Sequence, residues 1–386
     1  MLIVNPHPAS LARTGSSPTY VYSAWTSTGS PYYALDAVVR YQVSSVWYDY
    51  RCRRGHTASC SRSPTNTYYW TKIGAASTTG GYAYTTNVRL SAASAWATGA
   101  AITAGQVVFD DADQSDYIAT IAISAGDNTL RPSEAIRSAT ALIAARWVSL
   151  GKANAWAWSD TEINSRLQGY NASNNLVLPT FTLDAGVLAY AVDRVCFSGL
   201  LHVEALTAKV YVDGVLQQTL TKSLGPGATG YLLTSAVLGF TPVAPGKALT
   251  IEVTLTRAVL SLPLTVGAIV IGYGYQLATT EWDVETSLLG FSRQERNTTY
   301  GTISFLPRGS AKVVRATGFL DPAASSADHL LQLIAWLSGQ PIYFDLNEDG
   351  TDYDRLRIYG ICTRASSIIK AASWESVSLD LEGLVE

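Results

Sequence analysis

The sequence predicts a mainly β, multidomain protein: two small β modules, a jelly-roll-like β-sandwich and a C-terminal α+β domain with one helix. Three observations predict it. Charged residues make up only 15% of the chain while Tyr reaches 22 and Trp 10, a balance suited to β-sheets partly covered by neighbours. Runs of alternating or β-branched residues recur between Gly, Pro and Asn-Asn breaks. A pattern of Asp-Tyr, then Pro, then Trp and Gly occurs twice in the first 152 residues.

Taken in order, residues 1–20 are rich in Pro, Ser and Thr without periodicity and are read as an extended N-terminal arm. Residues 21–80 form the first module. It carries Asp49-Tyr50-Arg51-Cys52, Ser63-Pro64 and Tyr69-Trp70-Thr71-Lys72-Ile73-Gly74, with short aromatic strands around Val38–Tyr41 and Val46–Tyr48. Residues 75–84 are a Ser/Thr/Gly-rich linker. The second module, 81–153, repeats the pattern as Asp116-Tyr117-Ile118-Ala119, Arg131-Pro132 and Arg146-Trp147-Val148-Ser149-Leu150-Gly151. It adds an insert in which Pro132-Ser133-Glu134 starts a helix, with Ala135, Ala139, Leu142, Ile143 and Arg146 at helical spacing. A Trp precedes each pattern, Trp25 and Trp96.

Residues 154–279 read as the sandwich, with strands over Leu176–Leu183, Val195–Phe197, Ala208–Val212, Leu249–Leu255 and Val266–Ile271. Asp213-Gly214 turns a hairpin there. Residues 280–386 form the α+β domain. Its helix spans Ser326–Ser338, capped by Ser325 or Ser326, striped by Leu330, Leu331, Leu333, Ile334 and Leu337, and ended by Gly339 and Pro341.

Composition narrows the function. A net charge of −3 argues against nucleic-acid binding, and the basic cluster Arg51, Arg53, Arg54, Arg62 is read as a local solvated or interface patch. No apolar run is long enough for membrane insertion. The N-terminus lacks a basic n-region and a long h-region, so folding in a cytoplasm is expected, with Cys52 and Cys60 reduced. The four histidines and four cysteines show no metal-binding spacing, and no nucleophile elbow or phosphate loop occurs. No enzyme activity and no cofactor are expected. Asp345, Asn347 and Asp349 match the first half of a calcium loop, but Leu356 stands where the bidentate Glu belongs, so a turn between strands is the better reading. Asp110, Asp111, Asp113 and Asp116 are read as a solvated loop tip.

Exposed aromatic rings stack on the C–H faces of sugars. Trp25, Tyr48, Tyr50 and Trp70 in the first module, and Trp96, Tyr117 and Trp147 in the second, are therefore glycan-binding candidates. The competing and stronger reading makes them the cores of modules too small to bury anything else.

Tyr50, Cys52, His56, Pro64, Tyr69-Trp70 and Gly74 together resemble chitin-binding-type carbohydrate-binding modules. A larger resemblance runs from about residue 154 to the C-terminus. It is carried by Gly290-Phe291-Ser292-Arg293, Pro307-Arg308-Gly309-Ser310-Ala311-Lys312, Ala327-Asp328-His329-Leu330-Leu331, Pro341-Ile342-Tyr343-Phe344-Asp345, Asp352–Gly360 and Ser378–Leu384. This region is similar to tail-tip or baseplate proteins of long-tailed bacteriophages. The resemblance implies a tail-tube-like terminal domain and a structural virion protein, made in the host cytoplasm and oligomeric as a trimer or hexamer. Its implied partners are other tail-tip proteins and a host-surface glycan. The alternative is a glycan-binding adhesin contacting the host surface directly. A wall-degrading enzyme is disfavoured by the lack of catalytic constellations.

Overall fold

The computed structural model describes residues 2–12, 24–33, 37–75, 93–138, 140–159, 167–168, 178–225, 233–257, 264–276, 279–280, 284–297, 302–306, 310–320, 332, 334–335, 340–347, 353–371 and 374–384. The protein is mainly β and built of several sheets, as the sequence predicts.

The N-terminal segment departs most from its expectation as an arm. Leu2–His7 (β1) lies inside a ten-stranded sheet, antiparallel to residues 268–276 on one side and 342–345 on the other. Leu2, Ile3 and Val4 are buried on both faces: Ile3 packs into the C-terminal core, Leu2 and Val4 into a second cluster. A doubly covered strand reads as a continuous apolar run, and three residues are too short for that signal to stand out. Pro6 falls after Val4, where the second neighbour has ended, so its missing N–H costs no ladder bond. Ser10–Ala12 (β2) then crosses to a second sheet. Residues 13–20 lie outside the described residues.

The two modules are one fold used twice. In the first, Val38–Val43 (β3), Val46–Cys52 (β4) and Trp70–Ala75 (β5) form a three-stranded sheet. In the second, Val107–Asp110 (β6), Ser115–Ala119 (β7) and Trp147–Lys152 (β8) do the same. The registers coincide. Arg40, Val39 and Val38 face Asp49, Tyr50 and Arg51, as Phe109, Val108 and Val107 face Asp116, Tyr117 and Ile118. Cys52 faces Trp70 and Ala119 faces Trp147. A bulge precedes the Tyr in both copies. Trp25 N donates to Arg40 O at 2.8 Å and Trp96 N to Phe109 O at 2.7 Å, the same position in each sheet. The pairing of Tyr33 with His56 answers to the bridge between Ile102 and Ile123.

The helical insert of the second module is two single turns, Pro132–Ala135 (α1) and Ala141–Ala144 (α2), instead of one helix. Between them Ser138 Oγ accepts from Thr140 N at 3.2 Å, a local bond that competes with helix continuation.

The sandwich packs two antiparallel sheets over the largest core. Its strands are Thr180–Val187 (β9), Val192–Ser198 (β10), Val203–Val212 (β11), Val215–Ser223 (β12), Ala236–Val243 (β13), Ala248–Arg257 (β14) and Ala268–Gln276 (β15). One sheet runs β12-β11-β14-β9-β2, the other begins β13-β10-β15-β1. The Asp213-Gly214 turn forms with φ of 51° and 80°, the two left-handed residues of a type I′ hairpin.

That second sheet does not stop at the sandwich. Beyond β1 it continues through Glu285–Gly290 (β16), Ser310–Leu320 (β17), Ile342–Asp345 (β18), Arg357–Ala371 (β19) and Trp374–Gly383 (β20), in the order β1-β18-β19-β20-β17 with β16 on β17. The sandwich and the C-terminal domain are thus joined through backbone hydrogen bonds to the N-terminal strand. Most of the helix expected over 326–338 lies outside the described residues. Gln332, Ile334 and Ala335 are helical, and Ile334 is buried in the C-terminal core.

Candidate functional site

The seven aromatic glycan candidates divide sharply by burial. Trp70 is 1% exposed, Tyr117 2%, Trp147 4% and Tyr50 6%. None offers a ring face to a sugar, so these four are corrected to core residues. A module of this size has little else to bury, and each Trp sits where its strand pairs across from the residue closing the Asp-Tyr strand. Trp25, Tyr48 and Trp96 are half-buried and already engaged. Trp25 meets Tyr41 edge-on at 5.5 Å. The Lys72 ammonium lies 3.2 Å from the centre of the Tyr48 ring. Trp96 Nε1 donates to Asn128 Oδ1 at 2.9 Å, and its ring lies 5.2 Å from the Arg131 guanidinium carbon.

The calcium-loop candidates are spent locally. Asp345 is buried, accepts from Asn347 N and Nδ2, and faces Arg357 Nε at 3.5 Å. Asn347 Oδ1 accepts from Tyr353 N. Asp349 lies outside the described residues. Among the described residues no cluster of His, Cys, Asp or Glu is arranged to hold a metal, and no helix is long and apolar enough to cross a membrane. Cys52 is buried and Cys60 exposed, with no disulfide between them, and the Cys52 thiol donates to Arg54 O at 3.0 Å.

The modules are not hung loosely on the body. Arg51 Nη1 pairs with Asp184 Oδ2 of β9 at 3.2 Å, both side chains almost fully buried. Burial pushes the Asp184 carboxyl up, with Arg51 and the Gly186 amide pulling the other way. Beside it Gly186 has φ +66°, and a Cβ there would meet Thr71 Cγ2 at 2.9 Å, so glycine serves both the bulge and the close approach.

A second joint ties the modules to each other, and the acidic loop makes it. Asp110 is fully buried, accepts from Ser133 N and Oγ at the start of α1, and pairs with Arg131. Asp111 pairs with Arg131 and accepts from Tyr32 Oη at 2.6 Å, while Arg131 Nη2 donates to Tyr32 Oη at 2.8 Å. Burial and the Asp111 bond push the Tyr32 phenol up to about 12. Gln114 Nε2 donates to Arg53 O across the same joint. The expected solvated tip is instead a partly buried polar knot, with Asp110 fully enclosed, Asp111 and Arg131 half-buried and Tyr32 at its exposed edge. Gly55 leaves room for it: a Cβ there would overlap both Tyr32 Oη and Asp111 Oδ2. Gly55→Ala is expected to cost about 1–3 kcal/mol and to open the joint, read as an enlarged radius in small-angle scattering. An unchanged profile and midpoint would show the joint is not needed.

Next to this joint lies a cleft of about 290 Å³ between the modules, which sequence reasoning missed. Tyr32, Arg54, Arg62, Tyr68, Tyr69 and Arg137 contribute to it. The basic cluster was its one sequence signal: Arg54 and Arg62 belong to the cleft, whereas Arg51 is buried against Asp184. Arg54 lies 4.3 Å from the centre of the Tyr68 ring and donates to Ala112 O, and Arg62 lies 5.2 Å from the Tyr69 ring.

His56, at the cleft floor, is buried against Tyr69 and Trp70 with ring centres 4.7 and 5.1 Å away. Burial holds its imidazole below 6.5, against the pull of its backbone hydrogen bonds. As pH falls below 6.5 the unfolded chain takes up the proton first, so this contribution is full above that value and lost as pH falls through the folded value. His56→Ile, which copies Ile123 of the second module, is expected to flatten the loss of urea midpoint between about pH 7 and 5. His7, also lowered by burial, leaves a residual slope in the body. An identical slope in both proteins contradicts the assignment.

No protein-family model matches the chain, and no curated protein does. Among solved structures there is similarity to a high-affinity mannose-binding lectin of Ralstonia solanacearum, 16% identical over 50% of this chain and 89% of the lectin, with a TM-score of 0.11. A superposition that poor carries no argument.

Proposed function

We propose that this chain is a structural protein of a bacteriophage tail tip or baseplate, assembling through its C-terminal sheet with its two carbohydrate-binding-like modules built into the body. The observation that supports this reading best is the outward face of that sheet. Opposite the core residues Val377, Leu379 and Leu381, the strands β16, β17 and β19 display Leu289 (44% exposed), Phe319 (37%), Ile361 (36%) and Ile368 (61%). Arg315 lies among them, within 4 Å of both Glu285 and Asp380. Apolar residues set among charges on one broad β face suit lateral contact between subunits. The backbone pairing through β1 makes this sheet continuous with the sandwich, which suits a subunit of a ring. The buried aromatics of the modules further favour bracing over sugar capture by those rings.

Light scattering on the purified protein tests the reading. A trimer or hexamer is expected, and Ile368→Arg together with Phe319→Arg should return it to monomer without lowering the melting point. A monomer that also fails to bind tail proteins of the same phage contradicts it.

A further inference from the structure

The cleft between the modules has a composition that bracing does not require. Arg54, Arg62 and Arg137 form no ion pair with a carboxylate among the described residues, whereas Arg131 beside them is neutralised by Asp110 and Asp111. Two of the three are laid against tyrosine rings. A guanidinium stacked on a ring is held in place by its face and keeps its in-plane N–H donors, which fork onto a carboxylate or phosphate. Tyr68 is 56% exposed and meets Tyr69 edge-on at 4.9 Å, so it presents a fixed aromatic surface at the rim. Two carboxylates also line the cleft, Asp113 and the exposed Glu134, and Glu134 is placed to take hydroxyl groups of a ligand. Inorganic anions gain nothing from the tyrosine faces, and neutral sugars accept hydrogen bonds from arginines but bring no charge to pair with them.

We propose that this cleft binds an acidic saccharide, a sugar chain carrying a carboxylate or a phosphate, with Arg62 and Arg137 taking the anionic group and Tyr68 the sugar face. Arg54 positions Tyr68 and ties it to the second module through Ala112 O. The cavity's 290 Å³ sits at the low end for ligand pockets, which suits a short stretch of chain. The site is built from both copies of the duplicated fold, so neither module alone contains it. The proposal stands apart from the assembly reading, because binding is measured on the isolated protein and needs no tail.

Isothermal titration of the full chain with tetragalacturonate, with a phosphate-terminated maltotetraose and with neutral maltotetraose tests it. At least one acidic probe is expected to bind, and which one identifies the anionic group. Affinity should fall as salt rises from about 50 to 200 mM and drop about tenfold or more in Arg62→Ala, Arg137→Ala and Tyr68→Ala. Arg137 and Tyr68 are exposed, so those two variants keep their melting points, and Arg62→Lys should recover part of the loss. Equal binding of neutral maltotetraose, binding of inorganic phosphate as tight as that of the saccharide, binding insensitive to the arginine variants, or no binding of either acid would each overturn the proposal.

Discussion

Trp70→Ala is expected to unfold the first module alone, and Trp147→Ala the second alone, each at a cost of about 3–5 kcal/mol. Trp70 is enclosed by Tyr33 and His56, with ring centres 5.3 and 5.1 Å away, and its Nε1 donates to Arg62 O at 2.9 Å. Alanine would leave a cavity of indole size and an unmatched carbonyl together. Trp147 packs with Ile102, Val108, Tyr117, Ala119, Ile123 and Ala135, the buried apolar centre of its module. Domains of about 60 residues hold only a few kcal/mol in reserve, so a loss of that size empties the native state of the affected copy. Hydrogen exchange resolves the two: β3–β5 should lose protection in Trp70→Ala while β6–β8 keep theirs, with the reverse in Trp147→Ala. A loss under about 1 kcal/mol, or joint unfolding of both modules with either variant, would refute the equivalence of the two copies.

Asp184→Ala is expected to cost about 3–5 kcal/mol and to undock the first module from the sandwich. The carboxylate accepts from Arg51 Nη1 at 3.2 Å and from Gly186 N at 2.9 Å. Removing it takes from the Arg51 guanidinium, 2% exposed in its side chain, the Asp184 carboxylate that offsets the cost of burying its charge. Replacing both members with apolar residues, Arg51→Met with Asp184→Leu, should cost much less, because neither charge is then desolvated. Urea melts of the two variants give the comparison. A double variant as unstable as Asp184→Ala would mean that the pair contributes net attraction beyond the penalty of a stranded charge.

Much of this fold was legible in the residues. The duplicated Asp-Tyr and Trp patterns mark equivalent strands with one register, and Asp-Gly at 213–214 turns the expected hairpin. Helix signals did less well at 132–147, where Ser138 and Thr140 supply a local alternative that spacing of apolar residues does not weigh. β1 escaped notice because Leu2-Ile3-Val4 is too short to show a period, and its partners lie more than 260 residues away. The aromatics were assigned by chemistry, and the chemistry of a Trp in a sugar platform equals that of a Trp in a small core; only burial separates them. The cleft was hidden for a different reason. Arg54 and Arg62 come from one copy and Arg137 from the other, and no linear pattern announces a surface made where two copies meet.

The proposed assembly role is tested most directly by quantitative peptide mass spectrometry of tailed particles purified from cells that carry the gene for this chain. The account predicts peptides from both modules and from β16–β20 in equal amounts, at three or six copies per tail, enriched in the tip fraction. Absence of the chain from washed tails, or its recovery only in the soluble lysate, would contradict it.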